Sequence, residues 1–416
     1  MDDLPAVKYK VLNWVKRFSI FCLLDNQEYS FSAPAFECLV GAGSARQCSL
    51  NAKGSFSDLE KLIGDQDWVF GHLGYDLKNN FEDISSSNFD GIGFPDGFLF
   101  IPEVVIILKE REIQVGSSDP EEIFRQILSS PEEIELSATN IDLKGRFTHE
   151  EYISTVESLR QHILRGDCYE INLCQEFYSD DAIIDPIGAF IKLGSISPNP
   201  FSALYRIDDK YLMCASPERY VKRTGDHIIS QPIKGTSKRA LADVEADRHK
   251  KSELLHSEKE RSENVMIVDL VRNDLSKVCV EGSVRVEELF KIYSFPQVHQ
   301  MISTVGGELA PGIAFTDIIR ATFPMGSMTG APKKRVMELI EQYEKTRRGL
   351  FSGSVGYIKP GGDFDFNVVI RSILYNSSSD YLSVQAGSAL TFASNPEREY
   401  EECLMKIEGM RKVLKN

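Results

Sequence analysis

The sequence predicts an α+β fold. Three observations carry that reading. Strand-like apolar runs are separated by Gly and Ser clusters rather than spaced as regular βαβ units. Capped amphipathic helices are mixed among these runs in the second half of the chain. The chain has 416 residues, 42% hydrophobic and 26% charged, which is enough material for a large core.

Taken in order, residues 1–140 hold strand-like runs such as Phe18–Leu24 and Glu103–Leu108. Breaks of the type Gly41-Ala42-Gly43-Ser44 and Ser85-Ser86-Ser87-Asn88 separate them. An acidic, serine-containing stretch from Ser129 to Leu143 reads as a linker. A helix begins near Thr148, because Glu151 three residues on completes a capping box. Tyr152, Val156, Leu159, Ile163 and Leu164 then follow at helical spacing. Gly361-Gly362 marks a hairpin. Tyr400, Cys403, Ile407, Met410 and Leu414 form the apolar stripe of a C-terminal helix. The expected organisation is an N-terminal region, 1–140, and a catalytic region, 145–416, intertwined in one globular unit.

The formal net charge of -15 argues against nucleic acid or an anionic membrane surface as partner, since both need a basic field. The start, Met1-Asp2-Asp3-Leu4-Pro5, has no basic flank or long apolar run, so no signal peptide is expected. Val104–Leu108 is strand-length and too short to span a bilayer. Eight cysteines without paired CxxC spacing read as reduced, mostly buried thiols, and no zinc pattern is present. These features predict a cytoplasmic protein.

The most informative motif is Gln231-Pro232-Ile233-Lys234-Gly235-Thr236. Pro and Gly punctuate the backbone around one amine. A lysine held this way can be a nucleophile if its site desolvates it; otherwise it is an ordinary loop lysine. Two acidic pairs, Glu260 with Glu263 and Glu399 with Glu402, sit three residues apart on predicted helices, so each pair shares a face. Such pairs are commonly solvated helix surface. Glu399, Glu402 and Lys406 flank the C-terminal apolar stripe and should be half buried.

Ser216-Pro217-Glu218-Arg219, Pro232–Thr236, Arg261–Leu270, Val298-His299, Thr329–Lys333, Gly353–Tyr357, Ile370-Arg371 and Glu399–Glu402 occur in this order. Together they resemble the chorismate-utilising family, which includes anthranilate, aminodeoxychorismate, isochorismate and salicylate synthases. The similarity runs over roughly residues 145–416, and Phe70–Lys78 resembles its N-terminal signature. It implies a two-sheet β core with outer helices and a site between the sheets. It also implies one Mg2+ bound by Glu263 and Glu402, with Glu260 and Glu399 contributing through water. Mg2+ is a hard cation that takes few carboxylates and keeps positions open for substrate oxygens.

The resemblance further implies that Arg371 and Tyr357 bind the enolpyruvyl carboxylate of chorismate. A glycine-rich turn at Gly387 would give that ligand backbone N–H groups, with Lys406 and His299 nearby. The sequence departs from the family's Ala-Gly-Ala-Gly with Ala386-Gly387-Ser388-Ala389, and Ala resists positive φ where Gly does not.

Three positions point to the branch that aminates ring carbon 4. Lys234 stands where anthranilate synthases carry Ala. Glu170, in Tyr169-Glu170-Ile171-Asn172-Leu173, stands where the water-adding branch has a general-base lysine. Leu23-Leu24-Asp25 only loosely matches the tryptophan-feedback element of anthranilate synthases. The implied chemistry uses Glu218 as general acid and then base, Lys234 as nucleophile at carbon 2, and Gly235 and Thr236 beside the substrate, Thr236 near the leaving oxygen. Mg2+ and Arg371 are expected to depress the Lys234 pKa. No glutaminase nucleophile is recognisable, so a separate glutamine amidotransferase subunit should deliver ammonia. Anthranilate synthase component I is the alternative, and a non-catalytic scaffold for an amidotransferase is a further one.

Overall fold

The computed structural model describes residues 4–29, 36–51, 56–64, 66–109, 112–295 and 297–415. Met1–Asp3 of the N-terminal reading lie outside them. Two large sheets dominate. The first has eleven strands; its central run is Glu170–Ser179, Tyr381–Leu390, Ser372–Asn376, Lys210–Ser216, Phe201–Ile207 and Ile20–Asp25. The second has ten, with Ile233–Lys238, Val298–Glu308, His227–Gln231, Arg219–Thr224, Phe364–Asn367, Ser354–Ile358 and Val69–Leu73 in spatial order. Apart from an isolated parallel bridge between Phe89 and Thr346, the strand pairings are antiparallel.

Both sheets take strands from either side of residue 140. Ile20–Asp25 pairs with Phe201–Ile207, and Val69–Leu73 pairs with Ser354–Ile358. The largest apolar cluster lies between the sheets, joining Phe70, Leu99, Tyr205, Cys214, Tyr220, Phe364 and Phe366. A second packs the N-terminal helix Leu4–Val15 and the C-terminal helix Pro396–Leu414 on the first sheet. Strands buried on both faces read as continuous apolar runs, whereas Arg285–Ser294 at an edge alternates. Its Arg285, Glu287, Glu288 and Lys291 blunt that edge against pairing with another chain.

The helix His149–Leu164 carries the capping box, with Thr148 and Glu151 each satisfying the other's backbone N–H. Residues 130–143 form no regular element but are tied down. Asn13 donates to the carbonyls of Pro131 and Glu133, and the Ile141 N–H reaches the Leu414 carbonyl at 2.8 Å. None of the eight cysteines forms a disulfide, and all are buried. Among the described residues, no helix is long and apolar enough to cross a membrane.

Two helices matter for the site. Ser257 caps Glu258–Ser276, whose buried stripe is Glu263, Ile267, Val271 and Leu275 with Asn264 and Val268 beside it. Asn395 caps Pro396–Leu414, whose stripe is Glu399, Cys403, Ile407, Met410 and Leu414. Each stripe begins with a glutamate at a position that otherwise takes apolar residues. A carboxylate is placed there at a desolvation cost, which marks a site rather than a surface.

Candidate active site

Ser216-Pro217-Glu218 leaves the first sheet at the end of Lys210–Ser216 and enters the second at Arg219. The crossover is pinned by the Glu218 N–H to Ser216 Oγ at 3.1 Å and by the Val368 N–H to the Glu218 carbonyl at 3.0 Å. The Glu218 side chain is buried. Burial pushes its carboxyl up to about 7, against hydrogen bonds from Ser327 and the Ile233 N–H and the charge of Lys234. A carboxyl near 7 can both give and take a proton at neutral pH.

Lys234 lies on the edge strand Ile233–Lys238, where the register with Val298–Glu308 shifts between Ile233 and Thr236. Gly235 makes the irregularity possible with φ +89°, and a Cβ there would sit 3.0 Å from Glu260 Oε2. Lys234 Nζ is 2.9 Å from Glu170 Oε1, with both side chains largely buried. Burial lowers the amine's pKa, but Glu170, Glu263 and Glu218 outweigh it and hold Lys234 well above its ordinary range. The protein groups alone do not produce the expected depression: three carboxylates face the amine and raise its pKa.

The acidic side chains of the two helices share Lys259. Its amine is 3.8 Å from Glu263 Oε1, and Glu263, Glu399, Glu402 and Glu260 together raise its pKa against burial. Burial pushes Glu263 up to about 7, opposed by Lys234 and Lys259. Burial and then Glu402 raise Glu399, whose Oε2 is buried with no hydrogen-bond partner. Glu402 is also disfavoured by burial, yet Lys406 at 2.7 Å brings it below its ordinary value. Among the described residues, no three carboxylate, His or Cys side chains already form a ligand set. The donors are nonetheless hard oxygens, partly uncompensated and partly orphaned. That chemistry fits a Mg2+ ion.

Arg371 closes the other side. Its backbone is left-handed, φ 52°, and its carbonyl accepts the Ala215 N–H, which places it beside the strand leading to Glu218. Burial lowers the guanidinium's pKa, and Glu402 opposes this. The structure thus brings Glu218, Lys234, Glu263, Glu402 and Arg371 into one electrostatic neighbourhood.

Lys406 joins that centre through Glu402, and Gly387 reaches it through Lys406, while other expected positions depart from it or from their expected form. Gly387 is not in a turn but inside the strand Tyr381–Leu390, opposite Cys174. A Cβ there would lie 2.4 Å from Cys174 Sγ, so close strand approach explains the glycine. The strand also removes the concern over Ala389, since extended backbone suits alanine. Ser388 Oγ hydrogen-bonds Tyr152 Oη at 3.1 Å, and Lys406 Nζ donates to the Gly387 carbonyl at 2.6 Å. His299 spends both ring nitrogens on Ser294 at 2.9 Å and Asp247 at 3.2 Å, joining a helix to its strand. Thr236 is exposed. Tyr357 lines a separate cavity of about 210 Å³ with Phe36, Phe201 and Arg219, and that lining contains none of Glu218, Lys234 or Arg371.

The chain matches the chorismate binding enzyme family over residues 22–412. It belongs to that family. Within it, the chain is 36% identical over 356 residues to aminodeoxychorismate synthase component 1 of Salmonella typhimurium, covering 84% of this chain and 77% of the relative. It is 32% identical over 359 residues to anthranilate synthase component 1 of Thermus thermophilus, covering 83% and 77%. The crystal structure of anthranilate synthase component I from Streptococcus pneumoniae shares the fold, with a TM-score of 0.79, 24% identity and coverage of 94% and 92%.

Sequence reasoning missed three contributors in this chorismate-binding enzyme. Lys259 occupies the middle of the acidic cluster, and the sequence signal was its position between Glu258 and Glu260 on the same helix. Ser327 supports Glu218 from a short helical turn. Glu170 had been noted only for not being lysine, and the structure makes it the direct partner of Lys234.

Proposed function

We propose that this chorismate-binding enzyme aminates chorismate at ring carbon 4, as an aminodeoxychorismate synthase component 1, with Lys234 as nucleophile and Glu218 as acid and base. The product is 4-amino-4-deoxychorismate, the precursor of p-aminobenzoate. The observation that carries this reading is a buried lysine amine in the field of a buried carboxyl whose pKa is about 7.

In this reading Arg371 takes a substrate carboxylate through its planar fork. Glu263 and Glu402, backed by Glu260 and Glu399, would hold Mg2+, which would supply positive charge for the second carboxylate. Glu218 protonates the departing 4-hydroxyl as the Lys234 amine bonds to carbon 2. Ammonia then adds at carbon 4, Lys234 leaves, and Glu218 takes the proton from the new ammonium. Ser327 orients Glu218 for both transfers. The "component 1" of the relatives' names supports a second subunit, and a glutamine amidotransferase supplying ammonia is the partner this chemistry needs.

Amination at carbon 2 with loss of pyruvate is the second reading, favoured by the similarity to the Thermus anthranilate synthase component 1. One incubation tests both. With chorismate, Mg2+ and ammonium, mass spectrometry should find an amino product that retains the enolpyruvyl group; anthranilate with free pyruvate would overturn the assignment. Glutamine should replace ammonium only when the second subunit is added.

A further inference from the structure

Glu170 opens the strand Glu170–Ser179 at a closely held position. Gly330, at φ +134°, lies against it, and a Cβ on Gly330 would be 2.1 Å from the Glu170 carbonyl oxygen. The side chain is therefore presented from fixed backbone. Its residue is 1% exposed. Oε1 is 2.9 Å from Lys234 Nζ, while Oε2 is buried and has no hydrogen-bond partner. A buried acceptor without a hydrogen bond is destabilising, and Glu170 keeps one while its other oxygen holds the amine of Lys234. The oxygen left open matches a carboxylate that must accept a proton.

The chemistry requires such an acceptor. Lys234 cannot form a bond to carbon while its nitrogen lone pair carries a proton, and the groups facing it all favour the protonated form. These are Glu170 from the first sheet, Glu218 from the crossover between sheets and Glu263 from the helix Glu258–Ser276. Of them, Glu218 is committed to the 4-hydroxyl and Glu263 to the metal. Only Glu170 is within hydrogen-bond distance of the amine.

We propose that Glu170 is a catalytic base dedicated to Lys234, accepting its proton as the nitrogen–carbon 2 bond forms and returning it when the lysine leaves. This rests on the covalent reading above. The balance closes. In the first half, Lys234 ammonium gives one proton to Glu170, its lone pair bonds to carbon 2, the ring double bonds shift, and the 4-hydroxyl leaves as water with the proton of Glu218. In the second half, ammonia bonds at carbon 4, the double bonds shift back, and the carbon 2–nitrogen bond breaks with its electron pair on lysine. Glu218 takes a proton from the new C4 ammonium, and Glu170 reprotonates Lys234. Both carboxyls and the lysine end as they began, and no outside oxidant or reductant is needed.

The test is rapid quench and intact-mass detection of the Lys234 adduct with chorismate and Mg2+ but no ammonia. Glu170→Gln keeps the size and an acceptor oxygen but is not a base. It should slow adduct formation by about 10²–10⁴-fold, leaving chorismate affinity and the unfolding midpoint near wild type. Its deficit should narrow steadily as pH rises, because the neutral lysine that the wild type obtains from Glu170 then comes increasingly from solvent. Glu170→Asp should recover part of the rate. Wild-type adduct kinetics in Glu170→Gln would overturn the proposal, as would a deficit constant with pH and not relieved by Asp. If instead Lys234→Ala turns over like wild type, the covalent reading itself fails and this inference falls with it.

Discussion

Two buried ion pairs contact the same strand, Glu170–Ser179, a few residues apart. At one, Arg348 holds Glu344 through Nε at 3.0 Å and Nη2 at 2.6 Å, and also reaches the carbonyls of Met328 and Asn172. Glu344 accepts in addition the Cys174 N–H at 2.8 Å. Every strong donor and acceptor there has a partner. At the other, Lys234 meets Glu170 through one contact, and Glu170 keeps an oxygen unpaired. Arginine cannot surrender its proton in a protein, whereas lysine can. The difference separates a pair that fastens the sheet to its neighbours from a pair that moves a proton. Saturation of the hydrogen bonds, rather than burial, tells the two apart.

The largest expected effect falls on the unsaturated pair. Lys234→Ala should abolish detectable 4-amino-4-deoxychorismate and the covalent adduct while leaving chorismate bound; ammonia redirected to carbon 2 would appear as a new product mass. Formation of the carbon 4 product at the wild-type rate would refute lysine as nucleophile. Glu402→Gln and Glu263→Gln should likewise abolish turnover with the fold intact by circular dichroism. Near-normal activity of Glu402→Gln at low Mg2+ would dissolve the metal assignment.

Glu218→Gln comes next, with a loss of about 10²–10⁴-fold in turnover. Its pH behaviour is specific. Because burial raises the carboxyl to about 7, it is protonated below that pH and can act as acid. The adduct-forming half-reaction of wild type should therefore fall as pH rises through about 7. Ser327→Ala should shift that pH upward and Glu218→Gln should erase the fall. A wild-type profile flat from pH 6 to 8 would mean that Glu218 is not the acid.

The saturated pair should respond in stability instead. Arg348→Met leaves Glu344 buried without its counter-charge, at a cost of roughly 3–5 kcal/mol, read from urea unfolding. Glu344→Gln with Arg348→Met should recover a large part of that loss. If Arg348→Met unfolds at the wild-type midpoint, the contrast between the two pairs is empty.

How much of this was legible in the sequence follows from range. The helix at Thr148 was readable because a capping box is local. The glutamates of both helices could be placed on their faces because three-residue spacing is local too. The mixed α+β class followed from strands that do not alternate with helices. The Lys234–Glu170 contact could not be read, since it joins residues 64 apart across two sheets. The carboxylates that raise the lysine's pKa could not be read for the same reason: they come from three separate elements. Family likeness puts Gly387 in a turn, whereas in this strand it permits close approach of the adjacent strand.

Tyr357 supplies the smallest expected effect and a sharp one. Family likeness placed it on the enolpyruvyl carboxylate beside Arg371. The structure instead packs its ring against Phe36 at 5.5 Å and Trp68 at 5.8 Å between centroids, in the cavity that also holds Arg219. Arg219 is spent on Asp365 through two contacts of 2.9 and 3.0 Å, a saturated pair of the Arg348 kind. The cavity lining around that hydroxyl includes neither Lys234 nor Arg371. Tyr357→Phe keeps the ring contacts and removes only the hydroxyl. It should leave turnover and chorismate KM within about twofold of wild type, the size expected when no transition-state contact is lost. Arg371→Lys should raise KM clearly, because a bidentate fork becomes a point charge. If Tyr357→Phe raises chorismate KM as much as Arg371→Lys does, Tyr357 and Arg371 act on one site, and the separation drawn between saturated and reactive regions does not hold there.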